Sequence, residues 1–561
     1  MSATSSLDSH DGTAAPIPRG GWNQRWSIIE AWMIGIADRM NPILVKETRQ
    51  ALKSRQFIVT FMVVLIACWI VSIAGVAMYG PQVYYAAVGG ELLLAYYAVL
   101  VFPLMLIVPY SAFRSLAAEQ EDNTYDLLSI TTLTSKQIIT GKLYSSCVQM
   151  AVYLCAVSPC IAFTFLLRGV DAQTTAVLLI IAVLGSLGLS IVSLLVGAMA
   201  RVRHMQVVIA VGLVLVLAYM FYLAVLAASE IIRFNAHFLR DPDFWRGFMA
   251  VLAFYVTLFG LVHSAAAAQI SFMSENRSTP LRRWMMAQQA CFCGFLGAGI
   301  NQYGANGLVE PLANGVMIAA GYWYLMGMFL TAEWPHLSRR VQRSLPKTLA
   351  GRTFFSFFNP GPAAGYMFAL ANLMALAAAA LVMIGIWGDA SAAGAAEIER
   401  AVCFIILSVA YVTAFLGIGR LAIVALRRWA YVPMSAGFLL HAILLLTGVG
   451  VPTVIQLTSR NLRNSGYSLI QMSNPFWTLG ELLDHGPAAV QAPVLLVVIP
   501  AAAMLTLYFN LRLVAGELMH HRIAVPLRVA EDDLAARNAP TEKQASPWDD
   551  ELDATVESQR S

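Results

Sequence analysis

Acidic residues are absent from the middle of every long apolar run in this chain, and charge of either sign is scarce. Only 12% of the 561 residues are Asp, Glu, Lys or Arg, against about 25% in a soluble domain. A proton- or sodium-driven transporter usually keeps carboxylates near mid-membrane, where they titrate or hold the ion. Here Glu91 and Glu333 fall only at the ends of such runs, which favours an external energy source. The polar exceptions inside the runs are His263, His441 and Arg420. Arg420 is close enough to a span end to snorkel. Each His reads as a hydrogen-bonded packing residue, not a proton relay.

Other absences narrow the chemistry. A phosphate-cradling loop needs Gly-x-x-x-x-Gly-Lys-Ser/Thr between a strand and a helix. The lone Gly141-Lys142 is followed by Leu143 and lacks the upstream Gly. No polar stretch is long enough to fold as a nucleotide-binding domain of about 100 residues. The seven cysteines lie mostly in apolar runs, and Cys291-x-Cys293 is too close-set for a zinc site. His520-His521 reads as an interfacial cap. No His, Asp or Glu cluster marks a membrane enzyme, so catalytic, cofactor and metal sites are not expected. Residues 1–21 lack the apolar core of a secretory signal and are expected to form a disordered cytosolic tail.

What is present is apolar length. Hydrophobic residues make up 58% of the chain, and a membrane helix needs roughly 20 of them in a row. About twelve spans are expected, near 57–79, 91–112, 143–166, 174–200, 205–228, 247–272, 285–303, 312–333, 363–388, 400–426, 432–456 and 491–512. The seventh is weakened by Gln288 and Gln289. The fold class is therefore all-α, a polytopic integral membrane helical bundle, because open strands cannot satisfy their backbone in lipid. With both termini cytoplasmic, the outer loops keep only seven of the 36 basic residues: Arg168, Arg233, Arg240, Arg246, Arg400, Arg460 and Arg463. The net charge of +4 thus reports topology, and nucleic-acid binding is not implied. Pro103, Pro109, Pro159 and Pro500 fall within spans, where they bend helices or free carbonyls.

Before the first span, Trp22, Trp26, Ile28, Ile29, Trp32, Met33 and Ile36 form an apolar stripe suited to the membrane interface. Asn41-Pro42 then reads as a helix start, leading into an amphipathic basic stretch with Lys46, Glu47 and Arg49. Between the second and third spans lies the polar segment 113–142. It runs through Glu119, Glu121, Asp122, Thr124, Asp126, Leu127 and Leu128, then Leu133, Thr134 and Lys136, and ends at Gly141-Lys142. Thr134-x-x-Gln137 predicts a capping box, a side-chain-satisfied helix start.

This order of residues resembles the cytosolic coupling segment of type-2 ABC (ATP-binding cassette) transporter permeases. Those carry an acidic stretch, a Thr, an acidic residue with Leu-Leu, a turn and then Gly-Lys. Their elbow helix also begins at an Asn-Pro. Two positions depart from the pattern: Asn123 replaces the usual Gly and Thr132 the usual Pro. The alternative is a polar loop that merely returns the chain to the membrane. The resemblance covers about residues 41–272. It implies that Glu119 to Lys142 touch a separate ATPase subunit, which uses ATP in trans.

The second half resembles the first only weakly. Asn359-Pro360 echoes Asn41-Pro42 without a basic elbow, and the loop Arg427 to Tyr431 is too short for a second coupling segment. The loop 334–362 is long and basic, with Phe354, Phe355, Phe357 and Phe358 able to enter the interface. Asn474-Pro475-Phe476-Trp477 starts either a short helix on the outer membrane surface, as external re-entrant helices do in permeases of the family it resembles, or a plain loop. The expected division is 1–21 tail, 22–56 interfacial and elbow helices, 57–272 permease-like unit, 273–512 second membrane region and 513–561 a largely disordered tail.

The expected function is the multi-pass permease subunit of a bacterial ABC transporter, an exporter of the cytoplasmic membrane, that is not itself an enzyme. Its expected partners are the ATPase subunit, a second permease copy or paralogue, and membrane lipids. The alternative is an ATP-independent membrane protein, either a secondary transporter or a scaffold subunit.

Overall fold

The computed structural model describes residues 42–80, 87–121, 133–167, 169–200, 203–233, 241–272, 275–303, 309–335, 337–338, 341, 357–387, 392–459, 466–520 and 527–538. Among them all regular structure is helical and no strand occurs. Eleven helices are long and apolar enough to cross a membrane, so this is a multi-pass helical membrane protein. The expected seventh span is a 26-residue helix, Ser278–Tyr303. It carries buried Arg282, Gln288 and Gln289, and this polarity leaves it outside the set of eleven. The apolar stripe from Trp22 to Ile36 and the chain end after 538 lie outside the described residues.

The chain divides into two compact units, residues 1–272 with 277–295 and residues 273–276 with 296–561. Unit 1 holds α1 (Pro42–Lys53), α2 (Arg55–Tyr79), α3 (Gly89–Glu121), α4 (Ser135–Leu166), α5 (Ala172–Met199), α6 (Arg203–Arg233), α7 (Pro242–Ile270) and most of α8 (Ser278–Tyr303). The elbow does not run straight into the first span. Ser54 separates α1 from α2 by accepting from Phe57 N at 3.1 Å, so the helix restarts there. α3 lies at the centre of unit 1, packed on α2, α4, α5 and α6. Its Tyr96, Tyr97, Leu100, Val101 and Leu104 are fully enclosed.

Two prolines shape α3. Pro103 opens a π-helical turn in which Val108 N–H donates to Pro103 O. Pro109 has no N–H to offer, which leaves Leu104 O without a helical donor. Ser186 of α5 fills that role, its Oγ donating to Leu104 O at 2.6 Å. The bend expected from proline is therefore also a bond between helices.

Unit 2 holds the end of α8, then α9 (Val309–Thr331), α10 (Pro362–Trp387), α11 (Ala392–Leu426), α12 (Met434–Thr458), α13 (Pro475–His485), α14 (Ala492–His520) and α15 (Leu527–Asn538). α11 is its central helix, packed on α9, α10, α12, α13 and α14. α9 and α10 approach closely because Gly365 has no side chain; a methyl there would sit 2.6 Å from Leu330 O.

One expectation for unit 2 is corrected. Arg420 does not snorkel: it is fully buried, donating to Glu517 Oε1 at 2.7 Å and to Asn510 Oδ1 at 2.9 Å. The reason is that the last span runs on past 512 to His520, which brings Glu517 onto the helix and into reach. Of the two readings of Asn474-Pro475-Phe476-Trp477, the short helix is the one found, as α13. Tyr411 OH donates to Met472 O at 2.6 Å, and Ser473 Oγ to Gly448 O at 3.0 Å. Gly448 lies ten residues before the end of α12, about 15 Å along the helix, so the segment re-enters between the helices. Its backbone turn is held by Gln471, which donates to Gln456 Oε1 at 2.9 Å, while Asn474 caps α13 at Trp477 N.

Candidate functional site at the basic helix ends of unit 1

Helix α1, the end of α3 and the start of α4 converge. α1 is amphipathic: Ile43 and Glu47, one turn apart on one face, are buried, while Lys46 and Arg49 are exposed. This face packs on α4. Ile43 enters a hydrophobic cluster with Leu116 of α3, Ile138, Ile139 and Leu143 of α4, and Leu194 of α5. Leu133 packs against the same cluster. It is thus partly engaged within its own unit.

α4 begins as its sequence predicts. Thr134 Oγ1 accepts from Gln137 N at 3.3 Å, and Thr134 N donates to Gln137 Oε1 at 2.9 Å. The reciprocal pair satisfies two backbone donors that the first turn otherwise leaves open. α4 therefore starts at 135, and Gly141-Lys142 belongs to its second turn instead of preceding a span that starts at 143.

Lys142 is the chemical centre. Only 2% of the residue is exposed, and a buried ammonium has to find partners for its three N–H donors. Its Nζ donates to Glu47 Oε1 at 3.0 Å and to Ser115 O at 3.2 Å, and lies 3.0 Å from Glu119 Oε2. Lys46 adds a second cation 3.5 Å from Glu119 Oε1. Two lysines thus meet two glutamates, and one buried ammonium joins the elbow helix, the end of α3 and the start of α4.

Further bonds fix the end of α3 to its other neighbours. Gln120 Nε2 donates to Ala198 O of α5 at 3.1 Å. Gln206 of α6 donates to Ala117 O at 3.2 Å and to Ala200 O at 2.9 Å. Thr140 of α4 shares a 2.9 Å hydrogen bond with His263 of α7, the packing role expected of that histidine. Ser115, Gln120 and Gln206 were not legible as site residues. Their only signal is a lone polar side chain or carbonyl next to a span end.

Of the expected coupling residues, Glu119 and Lys142 are brought together with Glu47 and Lys46 of the elbow. Glu121 ends α3 exposed, and Lys136 is exposed in the first turn of α4. Asn41, Asp122, Thr124, Asp126, Leu127 and Leu128 lie outside the described residues. Among the described residues no three His, Cys, Asp or Glu side chains converge as a metal site would require. Compared with protein-family models, with curated proteins and with solved structures, the chain matches none.

Proposed function

We propose that this chain is the membrane-spanning permease subunit of a bacterial type-2 ABC transporter, an exporter of the cytoplasmic membrane driven by a separate ATPase. The observation that carries the reading is the buried Lys142. It ties together the two parts of the sequence that resemble that family, the elbow and the coupling segment. A polar loop that only returned the chain to the membrane would not require a buried ammonium shared among three helices at its base.

In this reading ATP binding draws the ATPase subunits together, and the acidic segment after Glu119 follows them. Because Lys142 and Glu119 clamp the base of that segment, its displacement is passed to α3 and α4 as a unit. Glu47 extends the same displacement to α1, which lies along the inner leaflet. The chain supplies no hydrolytic group. ATP is used in trans, and both chain ends face the cytosol.

The test is co-expression with an ATPase encoded beside this chain. The two should co-purify, and Lys142→Met should lower the coupling of hydrolysis to transport at matched membrane levels. ATP hydrolysis by the verified single polypeptide would overturn the assignment of the energy source.

One observation favours the ATP-independent reading: the pair of buried Arg420 and half-buried Glu517 near the end of α14, since intramembrane charges often mark ion paths. Arg420 Nε has no hydrogen-bond partner among the described residues, but the other polar atoms of the pair are engaged within the protein. Glu517 Oε2 accepts from Ala363 N at 3.1 Å and Oε1 from Arg420, an arrangement suited to fastening helices.

A further inference from the structure

The two units share one internal plan that their sequences hide. In unit 1, take α3, α4, α5, α6 and α7 as helices two to six. In unit 2, take α9, α10, α11, α12 and α14, leaving aside the re-entrant α13. In both units helix two packs on three, four and five; helix three on four and six; and helix four on five and six. These are the same seven of the ten pairings that five helices allow, and in both units the long polar loop follows helix two.

The polar ties fall at matching joints. Helices two and five are joined by Gln206 to Ala117 O at 3.2 Å in unit 1, and by His441 to Thr331 Oγ1 at 2.8 Å in unit 2. The ends of helices two and four are joined by Gln120 to Ala198 O in one and by Arg427 to Ala332 O in the other. Helices three and six are joined by Thr140 and His263, and by Ala363 N and Glu517. Helices four and six are joined by Tyr255 OH to Leu184 O, and by Asn510 to Gly417 O. A carboxylate just past or within the end of helix two reaches the start of helix three in each: Glu119 meets Lys142, and Glu333 accepts from Gly361 N at 2.8 Å.

We infer that the chain is an internal duplication, a single polypeptide carrying two permease units, with one motor subunit docking beside Glu119 and the other beside Glu333. The inference deepens the permease reading above and rests on it for the identity of the motor. A dimeric motor presents two sockets. Glu333, just past the end of α9, supplies the second docking point, so no second permease chain is required. The Asn359-Pro360 echo is out of register: it precedes helix three of unit 2, whereas Asn41-Pro42 precedes helix one of unit 1. With that register corrected, the counterpart of segment 122–134 is the loop 332–361 and not the short Arg427–Tyr431 turn.

The test is native mass spectrometry of the full chain released from nanodiscs, alone and with the co-expressed ATPase, followed by cryo-electron microscopy of the complex. The expected particle holds one 61.0 kDa chain and two ATPase subunits, one contacting the loop after α3 and one the loop after α9. Two copies of the chain per particle, or both motors seated on the α3 loops of two chains, would overturn the duplication. If no ATPase binds, the permease reading falls, and the mass of the chain alone still decides: a single copy supports two units in one polypeptide, and a dimer overturns it.

Discussion

Lys142 Nζ and Glu119 Oε2 lie 3.0 Å apart at the two feet of the polar segment that joins α3 to α4. The ion pair ties the end of α3 to the start of α4, because a buried lysine cannot leave its carboxylates without stranding charge. Displacing one of these helix ends must therefore carry the other with it, or break the pair.

Removing the ammonium should expose that dependence. Lys142→Met leaves Glu47 and Glu119 with only the exposed Lys46 beside them, and breaking a buried pair in this way costs about 3–5 kcal/mol. The purified variant should melt at a lower temperature in detergent than the parent. Glu47→Gln added to Lys142→Met removes one of the stranded charges and should recover part of the loss. An unchanged melting temperature in the single variant would show that the cluster contributes little.

Leu128 and Leu133 test the contact with the motor. Truncating apolar anchors at an interface typically costs a few kcal/mol, more than rim charges do. Leu128→Ala with Leu133→Ala should lower ATPase co-purification at matched membrane levels. Leu133→Ala alone should also loosen the Ile43–Leu116–Ile138 cluster it packs on. Charge removal at exposed Glu121 should act more weakly and in a salt-sensitive way. If the double variant retains the motor and transports as the parent does, the segment is only a connection.

The capping box gives a local measurement. Thr134→Ala removes the acceptor for Gln137 N, and loss of such a cap costs about 1 kcal/mol. Thr134→Ser keeps the oxygen and should restore the parent's melting temperature. Equal destabilisation by Ala and Ser would show that the methyl group and not the cap is at work.

What was legible in the sequence is local. The capping box needs only Thr134 and Gln137, and the elbow needs only the spacing of Ile43 and Glu47. Apolar length likewise revealed the helices, because lipid leaves the backbone no alternative. Pairings across the chain were not legible. Lys142 meets Glu47 at a separation of 95 residues, and Arg420 meets Glu517 at 97. No spacing rule spans such distances. The expected span ends at 512 where the helix runs on to His520, and Glu517 on that extension meets a guanidinium partner that no local pattern announces. The internal repeat was hidden for a related reason. Lipid-facing positions accept any apolar residue, so the two units can share packing while differing in sequence, and the Asn-Pro echo pointed to the wrong register.

Topology can be checked at the end of α3. In a background lacking the seven native cysteines, Glu121→Cys should resist an impermeant maleimide in intact cells and react once the membrane is opened. Labelling in intact cells would place this end outside and remove the coupling role of the segment.

The Arg420–Glu517 pair of unit 2 separates fastening from ion transport. Arg420→Met leaves the half-buried Glu517 without its cation and should destabilise the protein by less than the roughly 3–5 kcal/mol of a fully buried pair. Glu517→Gln keeps an oxygen to accept from Ala363 N while removing the charge that Arg420 balances. Adding Glu517→Gln to Arg420→Met should therefore recover stability relative to Arg420→Met alone, a positive coupling in the double-mutant cycle. The melting temperatures of the four proteins measure it. A pair that only fastens α11 to α14 predicts that the stable double variant still transports when the motor hydrolyses ATP. If the double variant is as stable as the parent yet transport is lost, the charges act on the transported species, and the ATP-independent reading is the better one.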